Sequence, residues 1–351
     1  MHRLSSTRLA VFLVAALVLL VLLGALMPRF GVFSSIPFSI VLLALTLNLL
    51  ACTVSRLLEG WREQGRRPPV VLWGSVVLHT GLLFILAGGL LTAAFHLDGT
   101  VAMTVGQSVD LSKESGFLRL QRGLLSAPGS LPPLTMKLES FEPRFTRGSP
   151  VAFDSIVLLG LGRGRVRRRV EVNRPAGAQG YAITQAEYGY SPRIALELDG
   201  RPLGDAFVAL RSRRAPSGPV YEDFVTAPGL EDRLILRVFP SEGKASGGTE
   251  AGFLTARLES GGGRTQRRIE MGGSARVGRL TVRFVELRYW SAYRIRSDAG
   301  LPVVYAGFIV CLLGAILRYL PLHGGLLRLS CCGGGAVSRE RAEAAAEEMT
   351  G

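Results

Sequence analysis

A chain of 351 residues with 48% hydrophobic residues, a formal net charge of +14 and a mean hydropathy of +0.30 is too apolar for an ordinary soluble domain. Its four cysteines include no C-x-x-C or C-x-x-C-H spacing, which excludes a thioredoxin-like reductase and a c-type cytochrome.

Four apolar runs, Leu9 to Met27, Ile36 to Ser55, Val70 to Phe95 and Leu301 to Leu317, each have the length and composition of a membrane span. The expected fold is a polytopic α-helical membrane protein with four transmembrane helices. Residues 1–95 hold three helices (9–27, 36–55 and 70–95), 96–300 form a large extracytoplasmic domain, 301–320 the fourth helix and 321–351 a cytoplasmic tail. The first run resembles a signal peptide, but it is longer than the usual apolar core of one and no A-x-A site follows it. Arg3 and Arg8 precede it, and Arg56, Arg62, Arg66 and Arg67 lie between the second and third runs. Short loops keep positive charge inside, so both termini are expected in the cytoplasm and the large segment outside, on the periplasmic face of the inner membrane. In the second run Thr46 and Asn48 are polar groups for neighbouring helices to satisfy.

The third run, VVLWGSVVLHTGLLFILAGGLLTAAF, has a single ionisable side chain, His79. It lies about 14 Å along the helix axis from Val70, close to the bilayer midplane, where an imidazole is costly without a partner. Gly74, Gly81 and Gly88 recur every seven residues as a seam that lets another helix approach closely. By helical spacing His79 sits about 200° from Gly81, nearly opposite that seam. Two roles stay open from these residues: an interhelical hydrogen bond, or an axial ligand to a metal or haem. His96, about 25 Å further on, falls at the outer boundary as a solvated residue or a second ligand.

From residue 96 to about 297 the apolar residues alternate. Leu134, Met136 and Leu138, then Ile194, Leu196 and Leu198, then Leu280, Val282 and Phe284 mark half-buried strands separated by Gly- and Pro-rich breaks. The expected domain is all-β and sandwich-like. The run Gly162 to Arg169, including Arg163 to Arg169, reads as a solvated hairpin end or as a docking patch for an anionic group. Cys52 and Cys311 lie in helices and Cys331 and Cys332 in the tail, so the outer segment has no disulfide. A basic outer surface away from the cytoplasm excludes nucleic acid as a partner and suits anionic lipid, haem propionates or an acidic protein.

Local motifs join this plan. SSTRLAVFLVAALVLLVLLGALMP, NLLACTVSRL, the His79 helix with Gly88 and Gly89, VNRPAGAQGYAITQAEYGYSP and SDAGLPVVYAGFIVCLLGAILRY resemble the ResB family of System II cytochrome c biogenesis. The most specific piece runs from Val172, Asn173 and Pro175 to Gln185, Tyr188 and Gly189; residues 145–165 and 200–270 carry no motif of that family. The resemblance implies transient b-type haem in the membrane with His79 as axial ligand to its iron. It also implies a ResC-type partner and delivery to an apocytochrome c bearing C-x-x-C-H. The Trp-rich haem-handling motif belongs to that partner, and no residue here is expected to be catalytic. The alternative is a scaffold that recruits apocytochrome and steadies the partner without binding haem.

Overall fold

The computed structural model describes residues 7–63, 70–126, 131–146, 149–162, 164–171, 173–215, 218–226, 230, 232–240, 252–260 and 263–319. Arg3, Arg66, Arg67, Arg163, Val172, Cys331, Cys332 and the tail lie outside them. The helices are α1 (Thr7–Leu26), α2 (Ile36–Glu63), α3 (Val70–Phe95) and α4 (Gly300–Tyr319), all four long and apolar enough to cross a membrane. α2 runs past the expected end at Ser55 because RLLEGWRE holds no proline and is rich in helix formers. Charge ends an apolar run without ending a helix. Thr46 does not need another helix either, since its hydroxyl donates to the Leu42 carbonyl of its own (2.7 Å).

Between α3 and α4 the chain is β-rich. In order come β1 (Leu97–Thr104), β2 (Ser108–Asp110), β3 (Arg119–Arg122), β4 (Leu134–Thr146), β5 (Ser149–Leu161), β6 (Gly164–Glu171), β7 (Ala176–Ala178) and β8 (Tyr181–Leu198). They are followed by β9 (Arg201–Phe207), β10 (Ser212–Ala215), β11 (Gly218–Val225), β12 (Arg233–Pro240), β13 (Gly252–Ser260), β14 (Gly263–Glu270), β15 (Ser274–Val277) and β16 (Leu280–Ser297). Two-residue turns close the β7–β8 and β8–β9 hairpins. Their central residues, Gln179–Gly180 and Asp199–Gly200, all have positive φ, the geometry whose twist matches the flanking strands.

The strands form three antiparallel sheets. The largest has the path β3-β1-β16-β8-β7 with β15 and β9 attached, the second is β10 to β14 in order, and the third is β2-β4-β5-β6. β8 and β16, 18 residues each, pair along most of their length and serve two cores. One half of the pair (Ile194, Leu196, Val282, Phe284) meets Leu234, Leu236 and Leu254 of the five-stranded sheet. The other half (Ile183, Tyr293, Ile295) meets Met136, Leu138 and Val157 of the four-stranded one. The sequence stretch 200–270, which matched no motif, is therefore mostly the five-stranded sheet.

Gly162 to Arg169 is more than a hairpin end. Most of it is β6, the edge strand of the four-stranded sheet, where Arg167 pairs with Glu139 and Arg169 with Asp154 and Glu171. Charge along an edge strand discourages pairing with other chains, which accounts for the run without a ligand.

Candidate functional site

The glycines of α3 meet α4. A Cβ on Gly74 would lie 2.6 Å from the Arg318 nitrogen, on Gly81 2.4 Å from that of Cys311, and on Gly88 2.8 Å from that of Val304. α4 answers with its own seven-residue repeat. A Cβ on Gly300 would sit 2.1 Å from the Gly88 carbonyl oxygen, on Gly307 2.8 Å from that of Gly81, and on Gly314 2.3 Å from the Leu78 nitrogen. The two backbones thus run antiparallel at a distance that only paired glycines permit.

With α3 fixed by that seam, His79 is half-buried, and its Nδ1 lies 2.7 Å from the Ser75 carbonyl oxygen one turn back on its own helix. A carbonyl only accepts, so Nδ1 carries the proton and Nε2 holds the lone pair. Among the described residues no protein group hydrogen-bonds Nε2. Of the two roles the sequence left open, the interhelical bond finds no counterpart there. Donation from Nδ1 to the carbonyl one turn back fixes the tautomer and leaves Nε2 as the nitrogen able to accept a hydrogen bond or bind a metal.

His96 repeats the pattern with Nδ1 2.9 Å from the Thr92 carbonyl oxygen, and it sits in a joint that the sequence did not reveal. The Thr92 hydroxyl donates to Asp298 Oδ1 (2.7 Å), which also accepts from the Gly300 and Leu301 amides at the start of α4 (3.1 and 3.2 Å). Asp298 therefore caps α4 and ties it to the end of α3. Carbonyls at the end of α3 and just past it are satisfied in turn: Ala93, Ala94 and His96 accept from the amides of Leu124, Leu125 and Gly123. One strand residue on, Asp98 pairs with Arg294 and Arg296 of β16. Burial acts to raise its carboxyl, but the hydrogen bonds and charge of Arg294, with Arg296 and His96, outweigh that and hold it below the ordinary carboxylate range.

The ResB-like family model matches residues 70–208, from the start of α3 to just past β9. The cytochrome c biogenesis protein CcsB of Synechococcus sp. (strain WH7803) is 28% identical over 278 residues, 74% of this chain and 56% of the relative. CcsB of Gloeobacter violaceus (strain ATCC 29082 / PCC 7421) is 28% identical over 258 residues, 70% of this chain and 50% of the relative. Over this region the chain is similar to ResB-like proteins. It spans about half the length of those relatives. The matched region contains both His79 and His96 and the Gln185 to Gly189 motif. The sequence reading missed the joint of Thr92, Asp298 and the 123–125 amides, for which spacing gives no signal. It also missed the α4 glycine repeat, which was visible as Gly300, Gly307 and Gly314.

Proposed function

We propose that this chain takes part in cytochrome c maturation as a membrane component that binds haem through Nε2 of His79 and supports its delivery to an apocytochrome outside the membrane. The observation that carries this reading is the ring geometry: an imidazole deep in an apolar helix, its tautomer fixed by the Ser75 carbonyl and its other nitrogen unengaged among the described residues. Among those residues no three His, Cys, Asp or Glu side chains gather as they would around a bare metal ion. A lone imidazole suits a metal that brings its other ligands with it, as haem does. Bound haem would supply vinyl groups to which the two thiols of a C-x-x-C-H segment add.

The chain's own contribution is placement. The glycine seam holds the His79 helix, Ser75 sets the ring's proton, and the joint at Thr92 and Asp298 fixes the outer sheets above it. The basic residues before the first apolar run and between the second and third support an orientation with both termini in the cytoplasm and the β-rich part on the periplasmic side. The relatives' name supports the role in cytochrome c biogenesis, and a ResC-type membrane protein is the partner that completes it.

Absorption spectroscopy of the complex purified under reducing conditions tests the assignment. Wild type is expected to show a haem Soret band, His79→Ala to lose it, and added imidazole to restore it. A band of equal height in His79→Ala overturns the ligand and leaves the scaffold reading, in which the chain recruits apocytochrome without touching haem.

A further inference from the structure

β8 is paired along nearly all of one side by β16 but only in pieces on the other. β7 takes Tyr181 to Ile183, β9 takes Arg193 to Leu198, and a single bridge joins Tyr190 to Leu210. Between these, the edge from Thr184 to Gly189 meets no strand among the described residues. Five consecutive residues of it, Thr184 to Tyr188, line an open cleft of about 920 Å³, with Phe153 and Trp290 among its other walls.

The direction of the free backbone groups follows from the ladder. The Tyr190 and Pro192 carbonyls accept from the Leu210 and Val208 amides, so they point away from β16. Alternate residues of a strand point the same way, and pairing with β16 is regular from Glu187 to Pro192, so the N–H and C=O of Tyr188 also face the cleft. The interruption in pairing, at Ala186, lies within the open stretch. This edge is unlike β6, the other edge strand described above. β6 is guarded by four arginines, whereas Thr184 to Gly189 carries one charged residue, Glu187. An unguarded edge with space beside it is a template for an incoming strand.

We propose that this edge binds an extended polypeptide segment as an added β-strand, and that the segment is the unfolded apocytochrome around its C-x-x-C-H motif. The identity of the segment rests on the function proposed above; the strand addition does not. Six residues of edge extend about 20 Å, enough for a five-residue C-x-x-C-H in extended form. Main-chain bonding supplies the affinity, and Tyr188 and Phe153, whose ring centroids lie 4.5 Å apart, offer an apolar wall that selects which side chain sits against it. The place is also apt. Thr184 lies opposite Arg294, three residues from the end of β16, so the near end of the cleft is about 10 Å from the strand's junction with α4.

Fluorescence anisotropy of a labelled C-x-x-C-H peptide, titrated with the full chain in detergent under reducing conditions, tests this. Two versions of the peptide are N-methylated at alternate residues in opposite registers. One register is expected to weaken binding at least tenfold and the other less than twofold, because only one edge of an added strand donates to β8. A photoreactive residue at the exposed Ala186 is expected to cross-link the bound peptide. No binding overturns the choice of segment; equal binding by both methylated peptides, or binding without the cross-link, overturns the strand addition. A scrambled peptide that binds equally well overturns the choice of segment. The Soret band is read on the same preparation. Peptide binding without the band counts against the haem assignment alone, and the band without peptide binding counts against this inference alone.

Discussion

The Tyr293 hydroxyl is sealed between sheets, with the ring fully buried and the hydroxyls of Ser155 and Ser291 nearby but no hydrogen bond closed to it. Burial pushes its phenol up to about 12. A group raised in the fold favours its neutral form there. Its contribution is complete below about pH 10, where a free tyrosine begins to ionise, and is lost as pH climbs through about 12. Tyr293→Phe removes an unsatisfied buried hydroxyl and keeps the ring. It is expected to cost nothing at pH 8, or to stabilise by about 1 kcal/mol. It should also make the fall in unfolding midpoint between pH 10 and 12 shallower, as followed by circular dichroism. Superimposable midpoint curves for the two proteins would show that the hydroxyl finds a partner.

At the scale of elements, helix contact is decided by atoms that glycine lacks. Gly81→Ala would put a carbon 2.4 Å from the Cys311 nitrogen and 2.8 Å from the Gly307 oxygen, backbone atoms that cannot rotate away. The helices would have to separate, at about 1–3 kcal/mol for overpacking of this kind. Gly177→Ala, on an open face with nothing within 4 Å, is the matched control. Thermal unfolding in detergent should register the first and not the second; equal midpoints would mean that the helices do not meet through this seam. Much of this scale was legible in the sequence. The α3 glycines announced a close neighbour, and period-two alternation at Leu134, Ile194 and Leu280 located strands with those residues buried or nearly so. Asp199-Gly200 was a hairpin signal that went unread. The division of β8 and β16 between two cores was not legible, because alternation reports that one face is buried and never against which sheet. Nor was the free edge of β8, since which strands stop short of one another depends on tertiary register.

For the molecule as a whole, the decisive feature is that helix pair and strand pair are one ribbon. Only His96 separates α3 from β1, and only Asp298 and Ala299 separate β16 from α4. α3 packs on α4, β1 pairs with β16 from Leu97 opposite Ser297 onward, and the cap at Asp298 with the 123–125 amides closes the joint between them. Motion of the sheets relative to the His79 helix would therefore have to break pairing, capping and ion pairs together, including Asp98 with Arg294. If the proposed delivery depends on a fixed distance between the sheets and His79, loosening the ribbon should uncouple parts that each remain folded. Four Gly/Ser residues inserted after His96 and again after Ser297 leave the register of the helix pair and of the strand pair available. The expected result is an unchanged circular dichroism spectrum and an unchanged Soret band, with the yield of holocytochrome falling at least tenfold. A yield equal to that of the parent would mean that the ribbon serves folding alone, and that the position of the cleft over the helices is incidental to delivery.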